Sequence, residues 1–462
     1  MKKNKKRNKK SNKKSVVIKI IILIIVLLLF SIYGYYYIDK YITPPTPLVT
    51  NVEIDENNML VVKYSVPKYK KNKDIYCIFK NENKKPDIND KDWKLAKNNE
   101  CKVKVEDKIY YGYLKNAKDE IFSIDDTKKQ GKILTFNVNK KQIYIAVNGK
   151  YKLKSSLDAI GNIDKTINWS SDNEDIAKVD QTGLVTGLKV GNTVVHARVE
   201  KQDIKVNVMV TNLITVRPKN YNNKKPYLPC GKYNKEENDI LDTILKDRIN
   251  DAGYKTRAGA VEAARFLALE FPYKIRYFSE NGRGSTNQVD GEGRYYHVGL
   301  YLDKSRFSGI KKRLAGPQTW GCQLYSRPSK GKRMNGLDCS GFVSWVLLNG
   351  GFDVGDIGAG LAPHLDLTDY GVRTRFNADI VKSNKVKVGD LLSSGGINGG
   401  HIAIIAGEDD NYYYVAESLW TPPNVAVIIK PYSKKNIFER YFYVMFMDSY
   451  YKEDGNLTKL WY

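Results

Sequence analysis

Histidine and cysteine are scarce in this chain of 462 residues, which has four of the first and five of the second. No C-x-x-C pair and no H-E-x-x-H pattern occurs, which argues against a zinc hydrolase. We therefore expect neither a metal nor a cofactor. Five cysteines also do not make a disulfide framework at this length. Cys77 and Cys101, which lie in one small β-rich segment, are a candidate pair.

Acidic residues are missing from the first fourteen residues, which carry nine Lys or Arg. Charges of either sign are then missing from Ile20 to Ile38, a run long enough to cross a bilayer as a helix. Tyrosines near its end resemble an interfacial aromatic belt, and no small-residue cleavage site follows. We expect a cytoplasmic tail (1–15), a membrane-spanning signal anchor (16–38) and an extracellular remainder. A cleaved signal peptide is the alternative.

Negative charge is in short supply overall, since the net charge is +25 and removing the nine basic N-terminal residues still leaves +16. No basic helix with interleaved aromatic residues occurs, so we expect no nucleic-acid partner. An extracellular chain of this charge would face the anionic polymers of a cell wall. The alternative is a compositional bias toward Lys and Asn with no specific partner.

Two β domains are predicted after the anchor and a stiff Pro-rich spacer. Short strand-like runs alternating with polar turns predict a small β-sandwich over 48–130. A second β unit spans 143–212, with Trp169 as a core aromatic and tight turns in Gly183–Gly191. This second unit resembles the bacterial Ig-like group 2 domain over nearly its whole length. The resemblance implies a spacer or an adhesive module on a bacterial surface.

A polar linker (213–238) and a helical segment (239–313) come next. Apolar residues between Ile240 and Ile249 share one helical face that ends at Gly253, and a second helix ends at Pro272. The stretch after Tyr277 is rich in Gly and polar residues and is predicted to be a long loop. We expect these helices to brace the domain that follows, 314–450.

The segment Gly336–Val343 (G-L-D-C-S-G-F-V) carries the strongest chemical signal. Apolar residues after Asp338 follow a helical spacing, which places Cys339 in the first turn, with Asp338 as the cap. Unpaired N–H groups and the helix dipole favour a thiolate there. The pattern indicates a reactive cysteine, whereas an isolated buried cysteine would be inert.

His401 opens a predicted strand, Gly400–Ile405 (G-H-I-A-I-I), and a second strand runs from Tyr412 to Ser418. If residues 408–410 form the turn of this hairpin, His401 lies opposite Glu417 and can bond to it. A turn that differs by one residue would place Ser418 or Ala416 there instead. Glu417 is the predicted third residue and Ser418 the alternative.

The order D-C-S-G-F-V, G-D-L-L, G-H-I-A-I-I resembles the NlpC/P60 family of papain-like cell-wall peptidases over roughly residues 314–447. The resemblance implies a C-terminal α+β papain-like domain, with Cys339 as nucleophile, His401 as base and a third polar residue at or near Glu417. It also implies that Asp338 and Ser340 hold a substrate amine. A carboxylate at the third position departs from the commonest family pattern.

A second departure lies at Pro317–Cys322 (P-Q-T-W-G-C), where Gln318 replaces the tyrosine usual in the family. That tyrosine serves the oxyanion site, so Gln318, or Tyr325 as a substitute, is the candidate for this role. His297 imitates the family's histidine strand but precedes the cysteine, and using it would require a circular permutation. His364 and His196 are predicted to lie in a loop and in the Ig-like unit.

Together these features predict a multidomain protein with a transmembrane helix, two all-β Ig-like sandwiches and a papain-like domain. The family resemblance implies a thiol peptidase that cuts peptidoglycan stem peptides beside the γ-linked D-glutamyl residue. An N-acetylmuramoyl-L-alanine amidase or an acyl transferase would use the same residues. A third hypothesis is a catalytically inactive scaffold that binds the cell wall.

Overall fold

The computed structural model describes residues 4–71, 73–219, 235–277, 298–300, 323–327, 331–334, 336–354, 372–395, 400–421 and 426–461. The chain forms two compact units, each described by itself. The first comprises Met1–Lys140, Leu153–Trp169 and His196–Lys205. The second comprises Lys141–Lys152, Ser170–Val195 and Val206–Tyr462. Gln318, His297 and His364 lie outside the described residues, and only the main chain of Tyr325 is described.

Helix α1 (Asn4–Tyr37) opens the first unit and ends in a π-helical turn, Ile38–Ile42. The stretch Lys14–Ile42 is long and apolar enough to cross a membrane, by length and composition. Its apolar side chains are exposed on all sides, as expected of a helix surrounded by lipid rather than by protein.

A two-sheet β-sandwich follows α1. Its strands are β1 (Leu48–Ile54), β2 (Met59–Ser65), β3 (Ile75–Lys80), β4 (Lys94–Leu95), β5 (Glu100–Lys104), β6 (Tyr111–Asn116) and β7 (Ile121–Ile124). One sheet has the order β1-β2-β5 and the other β4-β3-β6-β7. Alternate residues of both sheets, among them Val62 and Leu114, fill one core. Cys77 and Cys101 lie in this core as free thiols.

Short strands continue from residue 131 to 211. They are β8 (Gly131–Val138), β9 (Gln142–Ala146), β10 (Lys150–Lys152), β11 (Ser155–Gly161), β12 (Asn168–Ser171), β13 (Ala177–Val179), β14 (Leu184–Gly187), β15 (Gly191–Val199) and β16 (Gln202–Thr211). In the first unit β8 pairs with β11. In the second unit β14 lies between β10 and β13, and β16 runs parallel to β9. Trp169 is buried, as predicted for a core aromatic.

The C-terminal part begins with helices α2 (Lys235–Ala252) and α3 (Arg257–Arg265), the latter continued by a π-helical turn, Phe266–Glu270. The predicted apolar face of α2 is buried, and Gly253 ends the helix with a positive φ of 119°. The remaining helices are α4 (Cys339–Asn349), α5 (Ala378–Lys382), α6 (Ile437–Arg440) and α7 (Asp448–Tyr451).

The strands of this part are β17 (Arg276–Tyr277), β18 (Gln323–Arg327), β19 (Gly331–Met334), β20 (Gly336–Leu337), β21 (Val372–Arg375), β22 (Leu391–Ser393), β23 (Ile402–Glu408), β24 (Tyr412–Leu419), β25 (Ala426–Ser433) and β26 (Tyr443–Phe446). Six of them form an antiparallel sheet in the order β21-β26-β22-β23-β24-β25. Helix α4 packs on β23 and β24. All of its residues except Leu348 are buried, since it is apolar on every side.

The turn between β23 and β24 differs from the predicted one. The prediction placed residues 408–410 in the turn, but Glu408 belongs to β23 and pairs with Tyr413. The side chain of Asp409 explains the difference, because its Oδ1 accepts the N–H groups of Asn411 and Tyr412 at 2.8 Å each. An aspartate that bonds ahead along its own main chain starts a turn at that position.

Candidate active site

Cys339 is the first residue of α4, directly after the N-cap Asp338. Asp338 Oδ1 accepts the main-chain N–H of Gly341 at 2.7 Å and the Ser340 hydroxyl at 3.3 Å. The predicted helix cap is therefore confirmed. Cys339 lies where the unpaired N–H groups of a helix favour negative charge. Asp338 and Ser340 are themselves buried.

His401 lies immediately before β23 and is held by its main chain. Its N–H donates to Ser394 Oγ at 2.9 Å, and its carbonyl accepts the Ser394 N–H at 2.9 Å. The Cys339 thiol donates to the carbonyl of Gly400, the residue before His401, at 3.9 Å, and the imidazole bonds to Glu417. Since Nε2 faces Glu417 at 2.6 Å, the other ring nitrogen, Nδ1, is left for the thiol.

The register that brings His401 to Glu417 is not the predicted one. The prediction placed His401 directly opposite Glu417, but the observed pair of Ile404 with Ala416 places Ala403 opposite Glu417. The predicted register is therefore wrong by two residues at this end of the hairpin. Side chains alternate between the faces of a strand, so His401 and Ala403 share a face. His401 and Glu417 are diagonal neighbours, within reach of long side chains.

Glu417 is fully buried and accepts three hydrogen bonds. Besides the His401 ring, the Tyr432 hydroxyl donates to Oε1 at 2.7 Å and the Tyr441 hydroxyl donates to Oε2 at 2.8 Å. Tyr432 lies on β25 and Tyr441 directly follows α6. These three hydrogen bonds offset the free-energy cost of removing the carboxylate charge from water.

Electrostatics give His401 and Glu417 opposite charges at neutral pH. Burial raises the pKa of Glu417, but bonding to His401 and the two tyrosines holds that pKa below its usual value. Burial lowers the pKa of His401, whereas the neighbouring Cys339 and Glu417 raise it to about 9. The pKa values of Tyr432 and Tyr441 are raised, first by burial and then by Glu417, so both stay protonated donors.

Ser418, the alternative third residue, is used elsewhere. Its hydroxyl donates to the Leu337 carbonyl at 2.6 Å and is fully buried. Because Ser418 is the neighbour of Glu417 on one strand, its side chain leaves the opposite face. It ties β24 to the segment that leads into Cys339.

Tyr277 is a site residue that sequence reasoning missed. Strand β17 runs parallel to β20 and pairs Tyr277 with Leu337, two residues before Cys339. This pairing brings the Tyr277 phenol next to Cys339. Burial, followed by the charges of Cys339 and Asp338, raises the pKa of Tyr277, so it remains a donor. In the sequence, the extended run after Pro272 indicates a short strand, but it does not indicate the strand with which it pairs.

The G-D-L-L segment has a structural role. Asp390 is buried, accepting Arg257 Nη1 at 2.8 Å, the Lys387 N–H at 2.8 Å and the Met447 N–H at 3.1 Å. Arg257, also buried, lies on α3. This buried pair ties the helices to the start of β22, the neighbour of the strand that follows His401.

Of the remaining predicted residues, His196 belongs to the other compact unit, and the rest are not among the described side chains. His196 bonds to Asp203 at 2.9 Å, far along the chain in the Ig-like strands. Within the described part of the chain, no group of three or more His, Cys, Asp or Glu side chains could hold a metal ion. Gln318 and the Tyr325 side chain are not described, so their roles stay predictions.

Comparison with known proteins locates one domain. Residues 134–210 match the family model of the bacterial Ig-like domain (group 2). That segment is Ig-like, as predicted. The match begins within β8, nine residues before the predicted boundary at 143. A comparison with curated proteins finds no match.

Solved structures match small parts of the chain. Domains 4 and 5 of the S-layer protein SbsC are 22% identical, with 22% of this chain and 64% of that chain covered and a TM-score of 0.16. An intimin mutant from EHEC O157:H7 is 18% identical, with 24% and 68% covered and a TM-score of 0.16. This chain thus spans less than two thirds of the SbsC segment. The spanning-length helix and the Ig-like domain fit an extracellular protein.

Proposed function

We propose that this chain is a membrane-anchored cysteine peptidase that hydrolyses peptidoglycan stem peptides outside the cell. The single observation that carries the proposal is the arrangement of Cys339, His401 and Glu417. A thiol at a helix N-terminus, an imidazole beside it and a buried carboxylate on the far ring nitrogen form a nucleophile, a base and an orienting group.

The reaction follows from these positions. In the resting site the thiol proton lies on the His401 imidazolium, so Cys339 Sγ attacks the peptide carbonyl as a thiolate, and Glu417 stabilises the imidazolium. In this proposal the main-chain N–H of Cys339 and the Tyr277 hydroxyl donate to the developing oxyanion. His401 then protonates the leaving amine, and the acyl-enzyme forms. A water molecule activated by His401 releases the acid and restores the thiol.

The substrate rests on the NlpC/P60 resemblance of the three sequence segments and on the papain-like domain that it implies. The Ig-like domain match and the spanning-length helix support a location at the outer surface. The basic N-terminus would stay in the cytoplasm, with the C-terminal domain in the wall. Anionic wall polymers would attract the basic extracellular part.

The test is mass analysis of purified peptidoglycan after incubation with the full-length chain in detergent micelles. The wild type should create new stem-peptide ends next to the D-glutamyl residue, and the Cys339→Ala variant should create none. Release at the bond between lactyl group and L-Ala would instead identify an amidase. No new ends with several wall types, from a folded and reduced wild type, would contradict the proposal.

A further inference from the structure

An exposed indole borders the candidate site. Trp420 directly follows β24, three residues after Glu417, and is 59% exposed. The Tyr277 ring lies against it, with centroids 5.4 Å apart and planes at 69°. Tyr277 in turn pairs with Leu337, two residues before Cys339, which brings its ring next to the thiol. The candidate nucleophile, a phenol and an indole therefore form one continuous path from the buried thiol to the surface.

We propose that Trp420 is a sugar-binding platform, on which a pyranose ring of the glycan strand stacks while Cys339 attacks the attached stem peptide. The inference rests on the proposed function and makes its substrate more specific. The preferred substrate is a stem peptide still linked to glycan, not a peptide already released from it.

Substrate chemistry favours a sugar as the group that covers this indole. Stem peptides consist of small or charged residues, such as alanine, glutamate and a diamino acid, and none offers an apolar face of indole size. A pyranose ring does, because its C–H groups gather on one face and meet the negative face of an aromatic ring. An exposed apolar surface beside a polar site is where a ligand of mixed character gains most.

The spacing fits a sugar at this distance from the thiol. If cleavage occurs after the D-glutamyl residue, two residues separate the attacked carbonyl from the sugar's lactyl group. Two extended residues span about 7 Å. On the protein, the Tyr277 ring lies between the thiol and the indole. The centroid of the Trp420 ring is 5.4 Å beyond that of the Tyr277 ring. The edge contact with Tyr277 also fixes the indole before substrate arrives, which lowers the entropy cost of binding.

The hydrogen bonds of Asp338 and Ser340 also favour a substrate that is still linked to its sugar. An amine held by Asp338 and Ser340 would require a peptide freed from its sugar. Asp338 Oδ1 already accepts bonds from the Gly341 N–H and the Ser340 hydroxyl within the helix cap. Trp420, by contrast, is open to solvent.

The test compares two substrates that share one scissile bond, using the full-length chain in detergent micelles. One is a muropeptide that carries its disaccharide, and the other is the same stem peptide with a free amino terminus. Trp420→Ala should lower kcat/KM on the first at least about tenfold, mainly through KM, and on the second less than about twofold. Tyr412→Ala, an exposed aromatic at the opposite end of β24, is the matched control and should change neither.

Equal losses on both substrates would show that Trp420 merely supports Tyr277, and unchanged rates on both would show that it does nothing. Either result overturns the platform. If the wild type cleaves neither substrate, the proposed function fails, and calorimetric binding of the disaccharide then decides about the platform. Binding by the Cys339→Ala variant that disappears on adding Trp420→Ala would support it, and equal binding by both variants would overturn it.

Discussion

Two histidine–carboxylate pairs occur in the described part of this chain, and their surroundings differ. His196 Nδ1 lies 2.9 Å from Asp203, whose carboxylate is partly exposed and also meets Arg198. His401 Nε2 lies 2.6 Å from Glu417, which is fully buried and accepts two tyrosine hydroxyls as well. The distances are similar, so distance alone does not identify a reactive pair.

The difference in burial between the two carboxylates indicates which pair is suited to catalysis. A partly exposed ion pair contributes about 0–1 kcal/mol and needs no further support. A fully buried carboxylate needs additional hydrogen-bond donors to remain charged. Such arrangements are typical of active sites, where they adjust the pKa of a catalytic group. Of these two pairs, only the His401 pair also lies beside a thiol at a helix N-terminus. We therefore expect substitutions at the His401 pair to change reactivity and those at the His196 pair to change only the Ig-like domain.

The largest effect should come from removing the nucleophile. Cys339→Ala should lower the release of stem-peptide ends at least about 1,000-fold, because no acyl-enzyme can form. His196→Ala is the matched control and should stay within about twofold of the wild type. Liquid chromatography with mass detection measures both. More than a tenth of wild-type activity in Cys339→Ala would contradict the assignment.

The next largest effect should come from Glu417→Gln, at about 100-fold in kcat/KM. It should also move the pH profile. The raised pKa of His401, about 9, means that the rate falls as pH rises through that value, because the leaving amine then lacks its proton donor. Without the Glu417 charge the pKa of His401 drops, so this basic limb moves to lower pH.

Asp203→Asn is the control for that experiment, and its profile should overlay the wild type. A Glu417→Gln profile with an unmoved basic limb would show that the carboxylate does not set the charge of His401.

Gly336→Ala should cost about tenfold in kcat/KM by displacing Tyr277. A Cβ at residue 336 would lie 1.8 Å from the Arg276 carbonyl, so β17 must move away from β20. The clash should also lower the free energy of unfolding by about 1–3 kcal/mol. Tyr277→Phe should reproduce the activity loss with little loss of stability. Full activity in both variants would remove Tyr277 from the site.

The smallest effect should come from Tyr441→Phe or Tyr432→Phe, at about threefold to tenfold each in kcat/KM. The lowered pKa of Glu417 contributes stability above its unfolded pKa, and that contribution is lost as pH falls through the folded pKa. Each variant should therefore lose about 1–3 kcal/mol near pH 7 and less at an acidic pH below the folded pKa of Glu417, where the carboxyl is protonated.

Thermal unfolding at the two pH values measures this dependence, with Tyr413→Phe, four residues before Glu417 on the same strand, as the control. Equal destabilisation at both pH values would show that the two tyrosines only pack.

Local patterns explain which parts of the site were predictable. The cap Asp338, the apolar spacing of α4 and the strand after His401 all act within a few residues, and each was recognised. Glu417 was reached through a register that is wrong by two residues. Because side chains alternate with period two, that error left Glu417 on the correct face.

Contacts between distant segments explain what was not predictable. Tyr277 reaches Cys339 through a parallel strand pair, and Tyr432 and Tyr441 reach Glu417 from elements later in the chain. No spacing in the sequence encodes such pairings, since they depend on how whole elements pack. The turn at Asp409 was predictable in principle, because an aspartate before Asp-Asn favours a turn that starts there.

The most direct test of the central claim is a titration of the four histidines by nuclear magnetic resonance, in full-length protein labelled only at histidine. The account predicts that the His401 resonance titrates near pH 9 and moves to a lower pH in Glu417→Gln, while the other histidine resonances do not move. A His401 resonance that titrates at an ordinary value near 6.5 in both proteins would contradict the claim that buried Glu417 and Cys339 hold this imidazole charged.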